Sequence, residues 1–215
     1  MTTTKLIIFL ACLSSAQLNS APKPQSHDYL NNIIKSWPDA PKKMSLIDTA
    51  LKEAKITHLH IELSISQDQD LAWIKSHISR AKHALNGSEF GDGGLGYGVV
   101  KSSQLIAAQM KLAASSNQAS INIKLHSEKV ITSALNTVKV AQQMLGICDL
   151  VARSISTTQA LAYVAQLQFL ADALLSGIDT NKDGSINIFH DEGGLTFTAE
   201  QLHFTARAEG LVEDN

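Results

Sequence analysis

Aromatic residues are scarce in this sequence, and neither sign of charge predominates. Phenylalanine, tryptophan and tyrosine make up 5% of the 215 residues, and the formal net charge is −2. Strands of β-sandwiches are enriched in aromatic and β-branched residues, so this composition favours helices. Acidic and basic residues are scattered along the chain, which excludes a basic stripe for nucleic acid and an acidic solvating tail.

Cysteine is nearly missing as well, since only Cys12 and Cys148 occur. The sequence has no C-x-x-C pair for zinc or redox chemistry and no C-x-x-C-H motif for covalent haem. We expect Cys12 to be removed with an N-terminal leader, which leaves Cys148 without an intramolecular disulfide partner. The simplest role for Cys148 is that of a small buried apolar residue.

The longest apolar run lies at the N-terminus and is too short to cross a bilayer, which needs about 20 residues. Lys5 precedes the apolar segment 6–13, and Ser14, Ser15 and Ala16 fit the small-residue rule for cleavage after Ala16. We therefore predict a signal peptide at residues 1–16 and a periplasmic or secreted protein without a membrane-inserted segment after cleavage. A lipoprotein anchored through Cys12 is the alternative.

The common signatures of catalysis do not occur in the sequence. It contains no nucleophile elbow, phosphate-binding loop, dinucleotide fingerprint or zincin helix. We therefore predict a binding or structural protein and no enzyme activity.

Helical periodicity begins at Leu46, after a proline-punctuated segment, 17–45, that we predict to be a linker with one helical turn. Apolar residues then recur at steps of three and four in several segments, which indicates amphipathic helices. Helices are predicted from Leu46 to about Ile65, from Leu71 to Gly87, from Val99 to Ser115, and from about Ser120 to Ile155. The predicted domain is an all-α bundle spanning residues 46–212.

Two parts of the chain resemble each other. The sequence SISQDQDLAWIKSHISRAKHALNG, from Ser64, matches SISTTQALAYVAQLQFLADALLSG, from Ser154, at a constant spacing of 90 residues. Each segment precedes a glycine-containing loop, GDGGLGYG at 91–98 and DEGGLTFT at 191–198. Single αα-hairpins cannot bury their apolar faces alone, so we predict an antiparallel helical bundle of duplicated αα-hairpins.

The stretch 179–187, which lies just before the second of these glycine-containing loops, has the pattern D-x-N-x-D-G-x-I-x. Its potential oxygen ligands are Asp179, Asn181, Asp183, the Ser185 carbonyl and Asn187. Gly184 stands where a sharp left-handed bend is needed, and Ile186 where an apolar residue packs inward. This segment, 179–190, resembles the calcium loop of EF-hand and dockerin proteins, which implies a bound calcium ion. The rest of the chain is loosely similar to helical secreted bacterial proteins without assigned activity.

The end of this loop departs from the EF-hand pattern. His190 occupies the position of the closing glutamate, and imidazole is a poor ligand for a hard cation. Asp191 or Glu192 supplies the closing carboxylate if the loop is longer by one or two residues. With no second hand in the sequence, the predicted role of the ion is structural. The alternative is an Asx-type turn that binds no ion.

Eight histidines occur in the chain, and four lie on or beside predicted core faces: His58, His77, His126 and His203. Facing helices can assemble such side chains into a transition-metal or b-type haem site. Hydrogen-bonded histidines at the edge of the core are the simpler interpretation. His60 and His83 fall on polar faces, where we expect them to be exposed. A third functional hypothesis is a structural module whose surface binds a protein partner.

Overall fold

A computed structural model describes residues 23–88, 91–186 and 192–213. Within these ranges the protein is an all-helical bundle, which confirms the predicted fold class. Its helices are α1 (Gln25–Ile34), α2 (Leu46–Ser64), α3 (Leu71–Asn86), α4 (Val99–Ser115), α5 (Ile121–Arg153), α6 (Thr157–Ser176) and α7 (Leu195–Ala208), with a short 3₁₀ turn at Pro41–Lys43.

Side-chain caps explain where several helices begin. The hydroxyl oxygens of Ser45, Ser120 and Ser156 accept hydrogen bonds from the backbone N–H three residues later, at the starts of α2, α5 and α6. Asp70 caps α3, and Gly87 ends that helix in the left-handed conformation at φ 67°. These local signals are visible in the sequence, and the bounds predicted for α2, α3, α4 and α5 agree with the structure to within two residues.

The last helix begins earlier than its sequence indicates. The sequence TAEQ at 198–201 is typical of a capping box and predicts a helix start after Thr198, but α7 begins at Leu195. The Thr198 hydroxyl donates to the Gly194 carbonyl and to the Ser133 hydroxyl, so it lies inside the helix and against α5. Tertiary packing on α5 therefore replaces the predicted cap.

Helix α1 belongs to the packed unit, whereas the sequence predicted a linker there. Leu30 and Ile33 are buried in the common core, and the Asn32 side-chain amide donates to Gln109 of α4 at 2.9 Å. At the other end of the chain, Glu209 accepts hydrogen bonds from the Ser120 hydroxyl and contacts His27 Nε2 at 2.9 Å. We call this group the Glu209 clasp, and it joins α1, the start of α5 and the residue after α7.

Helix α5 is the centre of the bundle and packs against α3, α4, α6 and α7. It contributes Ile123, Val130, Ala134, Ala141 and Met144 to the core, each with no exposed side-chain surface. The many alanines on these faces allow neighbouring helices to approach closely, and Gly146 does not interrupt the helix. The result is a single core to which every helix contributes.

Two loops leave the bundle at glycine-rich segments. Loop A, residues 87–98, connects α3 to α4, and loop B, residues 177–194, connects α6 to α7. The order helix, helix, glycine-containing loop, helix therefore occurs twice among the described elements. That these two halves are duplicated αα-hairpins stays a prediction.

Candidate calcium loop and neighbouring histidines

Loop B is closed at its base by backbone contacts. Gly177 and Gly193 form an antiparallel bridge, and the Ile178 N–H donates to the Glu192 carbonyl at 3.0 Å. The Asn136 side-chain amide of α5 donates to the Gly193 carbonyl at 3.0 Å. The two ends of the predicted calcium loop are thus held together and fixed to the central helix.

The first half of loop B folds around its own acidic side chains. The two oxygens of Asp179 accept hydrogen bonds from the backbone N–H groups of Asp183, at 3.2 Å, and Gly184, at 2.9 Å. Asn181 Oδ1 also accepts from Asp183 N–H, and Asp183 Oδ1 accepts from Ser185 N–H at 2.8 Å. Both the calcium interpretation and the ion-free Asx turn require such a fold.

Backbone dihedrals complete this turn. Gly184 has φ 84°, which lies in the left-handed region, as the sequence pattern predicted for this position. Lys182 lies in the same region at φ 60°, so two of three successive residues in this turn have a left-handed backbone conformation. The turn therefore brings the three predicted side-chain ligands, Asp179, Asn181 and Asp183, into one connected group.

Glu192 folds back onto the start of loop B. Its Oε1 accepts hydrogen bonds from the backbone N–H groups of Thr180, at 3.0 Å, and Asn181, at 3.1 Å, and the residue is fully buried. A carboxylate can be buried only when donors compensate for its lost hydration. Of the two predicted closing residues, Glu192 contacts the loop entrance, and Asp191 lies outside the described residues, as do Asn187 and His190.

The donor set of loop B suits a hard cation. Asp179, Asn181, Asp183 and the Ser185 carbonyl offer oxygen atoms alone, which are the ligands that calcium prefers. Within the ranges that the structure describes, no group of three or more histidine, cysteine, aspartate or glutamate side chains is arranged to hold a metal ion. The observed geometry is that of a hydrogen-bonded loop with oxygen donors close to one another.

The four predicted site histidines do not share a site, since three of them have separate partners and the fourth is exposed. His58 Nε2 lies 3.1 Å from Asp172 Oδ1, His126 Nδ1 lies 3.0 Å from Gln201 Oε1, and His203 is exposed. His77 is paired with His60. The arrangement gives no support to a shared haem or metal site among the four. His58, predicted on the core face of α2, is about one third exposed because Ile61 and Thr57 take that face.

Two histidines that were predicted to be exposed are instead covered by loop A. His83 is buried: its Nδ1 accepts from Gly94 N–H at 2.9 Å, and its Nε2 lies 2.6 Å from the Ser88 carbonyl. Since a carbonyl oxygen can only accept, Nε2 carries the proton. Both ring nitrogens of His83 therefore form hydrogen bonds with the backbone of loop A. His60 is half-buried at the same side of the bundle. The prediction failed because loop A folds over a face that is polar by periodicity.

Glu53 is a second anchor of loop A that the sequence did not reveal. It is fully buried on α2, where Oε1 accepts from the N–H groups of Tyr97 and Gly98, both at 2.9 Å. Its other oxygen, Oε2, accepts from Leu95 N–H at 3.0 Å. All of these donors belong to backbone more than 40 residues away, so the carboxylate fixes loop A and is not free for chemistry.

The glycines of loop A allow this close contact. A Cβ atom on Gly93 would lie 2.2 Å from the Arg80 backbone, and one on Gly94 would lie 2.5 Å from Glu53 Oε2. The glycine-rich sequence is therefore explained by the approach of loop A to α3 and to the buried carboxylate.

His60 and His77 form a contact between α2 and α3. Their Nδ1 atoms are 3.1 Å apart, and the His77 ring lies 4.4 Å from the Trp73 ring, between centroids. Burial lowers the pKa of both imidazoles below 6.5, and in each case the Arg80 charge lowers the pKa further, while Asp92 opposes it. The pair is therefore neutral at pH 7.

We expect acid to destabilise the protein through this pair. Because the folded-state pKa of each ring is below the unfolded value of 6.5, stability is complete above pH 6.5 and falls as the pH drops towards the folded-state values. Urea unfolding between about pH 7.5 and about pH 5.5 should show this loss of the free energy of unfolding. In His77→Gln the free energy of unfolding should depend less steeply on pH. The carboxyl pKa values of Asp39, Asp92 and Asp149 are lowered, which places their titration below this window. An identical slope in His77→Gln would contradict the prediction.

Comparison with protein-family models, with curated proteins and with solved structures finds no match to this chain. In the described part of the chain, no helix is both long and apolar enough to span a membrane. The functional proposals therefore depend on loop B, on the histidine pair and on the N-terminal sequence.

Proposed function

We propose that this protein is an exported, non-catalytic helical bundle that binds calcium in loop B, where the ion braces the connection between α6 and α7. The observation that carries the proposal is the turn from Asp179 to Gly184. The D-x-N-x-D-G pattern coincides there with side-chain oxygens that are already joined through backbone N–H groups. Export is proposed from residues 1–16, with attachment through Cys12 as the alternative.

The charge of loop B favours a cation. Asp179 and Asp183 belong to one short turn, Glu192 accepts hydrogen bonds from the backbone N–H groups of Thr180 and Asn181 in the same turn, and Lys182 is the nearest basic residue in sequence. A divalent ion that replaces hydration at these oxygens offsets their mutual repulsion. Asn187 is proposed as a direct or water-mediated ligand, and Asp191 or Glu192 as the closing carboxylate.

The proposed ion stabilises the fold because the base of loop B is tied to the bundle. Asn136 holds Gly193, and Thr198 of α7 contacts Ser133 of α5. Bracing the loop therefore restrains the start of α7 on the central helix. Calcium outside the cell is plentiful enough to fill a weak site of this kind.

Calcium should raise the free energy of unfolding of the parent protein. With a dissociation constant in the range of extracellular modules, about 10⁻⁴ to 10⁻³ M, roughly 10 mM calcium adds about 1.5 to 3 kcal/mol. Asp179→Ala should remove most of this calcium-dependent increment, because it deletes the first ligand of the loop. Isothermal titration calorimetry and urea unfolding with calcium or with a chelator measure the two effects.

Asp172→Ala is the matched control. Asp172 is an exposed aspartate on α6, its carboxylate lies beside His58, and it is outside the loop pattern. It should keep the full calcium increment. Unfolding that is the same in calcium and in chelator, together with no heat of binding, would leave loop B as an Asx turn.

A protein-interaction module is the second candidate, favoured by one surface feature. A groove of about 450 Å³ between α5 and α6 is lined by Ile147, Leu170 and Ile178, and Phe169 at its edge is 62% exposed. Exposed aromatic side chains beside apolar grooves are frequent in binding surfaces. This candidate predicts calcium-independent stability and no bound ion.

A further inference from the structure

The contact between His60 and His77 has a geometry that the calcium proposal does not use. These residues lie on α2 and α3, and their Nδ1 atoms face each other at 3.1 Å. We propose that the two imidazoles bind a divalent transition-metal ion, Cu²⁺ in preference to Zn²⁺, with water completing the coordination sphere. The site is independent of loop B.

The distance between the two nitrogens fits a shared metal ion. Imidazole nitrogens lie about 2.0 to 2.1 Å from zinc and similar metals. Two such ligands at angles of about 90° to 110° are roughly 2.9 to 3.4 Å apart. The observed separation of 3.1 Å lies in this range, so the rings need only rotate to direct both lone pairs at one point.

The protonation state of the pair is also suitable. Imidazole binds metals in its neutral form, and the 3.1 Å contact between the two Nδ1 atoms requires that one of them accepts a hydrogen bond and therefore carries no proton. In the free protein one Nδ1 carries the hydrogen that the other accepts. Metal binding moves this hydrogen to Nε2 of the same ring, with no net proton release from the neutral pair.

The charges around the pair are balanced. Arg80 on α3 is the nearest cation, and both its Nε and its terminal nitrogen donate to Asp92 Oδ2 of loop A, at 3.1 and 3.0 Å. This ion pair lowers the repulsion that Arg80 alone would exert on a metal ion. His60 is half-buried whereas His77 is buried, so the ion and its water ligands approach from the His60 side.

The preference among metals follows from the donor type. Two nitrogen donors suit copper, nickel and zinc, and the usual order of affinity places Cu²⁺ first. Calcium prefers oxygen ligands and should not compete. His83 is excluded as a third ligand because both of its ring nitrogens are engaged by loop A.

Trp73 provides a spectroscopic test, because its ring lies 4.4 Å from His77 and Cu²⁺ quenches nearby tryptophan fluorescence. The full-length protein is titrated with Cu²⁺ at pH 7. Saturable quenching with one equivalent is expected, and excess Zn²⁺ should reverse it. His60→Gln and His77→Gln should each weaken the apparent affinity roughly tenfold or more, since each removes one of two ligands.

His58→Gln is the matched control, since His58 lies two residues from His60 on the same helix and has Asp172 as its partner. It should titrate like the parent. Circular dichroism establishes that the variants fold; if His77→Gln does not, the half-buried His60→Gln decides. Unsaturable quenching, or equal Cu²⁺ affinity in the parent and in His60→Gln, would overturn the proposal.

Discussion

Replacing Glu53 with alanine should lower the free energy of unfolding by about 4 kcal/mol. Three backbone N–H groups, those of Leu95, Tyr97 and Gly98, donate to its carboxylate in a fully buried position. Each buried donor without a partner costs about 1 to 3 kcal/mol. Loop A would have to open to water to satisfy them, so the loss is measurable by urea unfolding and by faster amide exchange in residues 95–98.

Two further variants test whether the carboxylate itself is responsible. Glu53→Gln preserves the shape but places an amide N–H₂ opposite a backbone donor, so it should destabilise by roughly half as much. Glu62→Gln lies on the exposed face of the same helix and should change stability by less than about 0.5 kcal/mol. Equal effects of the three substitutions would contradict the role assigned to Glu53.

Gly177→Ala should destabilise the protein by at least about 3 kcal/mol. Gly177 has φ 96° and ψ −178°, a conformation that is essentially restricted to glycine. A Cβ atom there would lie 1.9 Å from the Glu192 carbonyl oxygen, which is the acceptor of the bond that closes loop B. The substitution must therefore break the bridge, and calcium affinity should fall with stability when both are measured by titration.

Gly146→Ala is the opposite case and serves as the control. Gly146 lies within α5, and a Cβ added there meets no atom within 4 Å. Alanine is favoured over glycine in a helix interior by about 1 kcal/mol, so this variant should be more stable than the parent. A destabilised Gly146→Ala would indicate that α5 requires flexibility at that point.

Helix positions could be predicted from the sequence because their determinants are local. Val99 to Ser115 was predicted at its observed bounds, and Ser120 and Gly87 mark helix ends through capping that depends on adjacent residues. The turn from Asp179 to Gly184 could also be predicted from local sequence, because its hydrogen bonds join residues at most five positions apart. Its ion remains a prediction.

The buried polar groups could not be predicted, because their partners are remote in sequence. From the sequence alone Glu53 looks like an ordinary surface charge. The backbone groups that donate hydrogen bonds to it belong to loop A and lie 42 to 45 residues later. His83 was assigned to solvent because periodicity does not show which face a loop covers. The contact between His60 and His77 could not be predicted either, because it depends on how α2 and α3 are rotated against each other, and core packing fixes that rotation. Helix α1 was missed for a related reason: prolines indicated a linker, and burial of Leu30 and Ile33 depends on α4 and α2.

The Glu209 clasp has a consequence for the order of folding. His27 and Glu209 lie 182 positions apart in the sequence, and their contact places α1 beside the residue that follows α7. A contact between residues so distant in sequence is costly to close until the intervening chain is ordered. We therefore expect the seam between α1, the start of α5 and Glu209 to close late, after α7 has packed on the central helix.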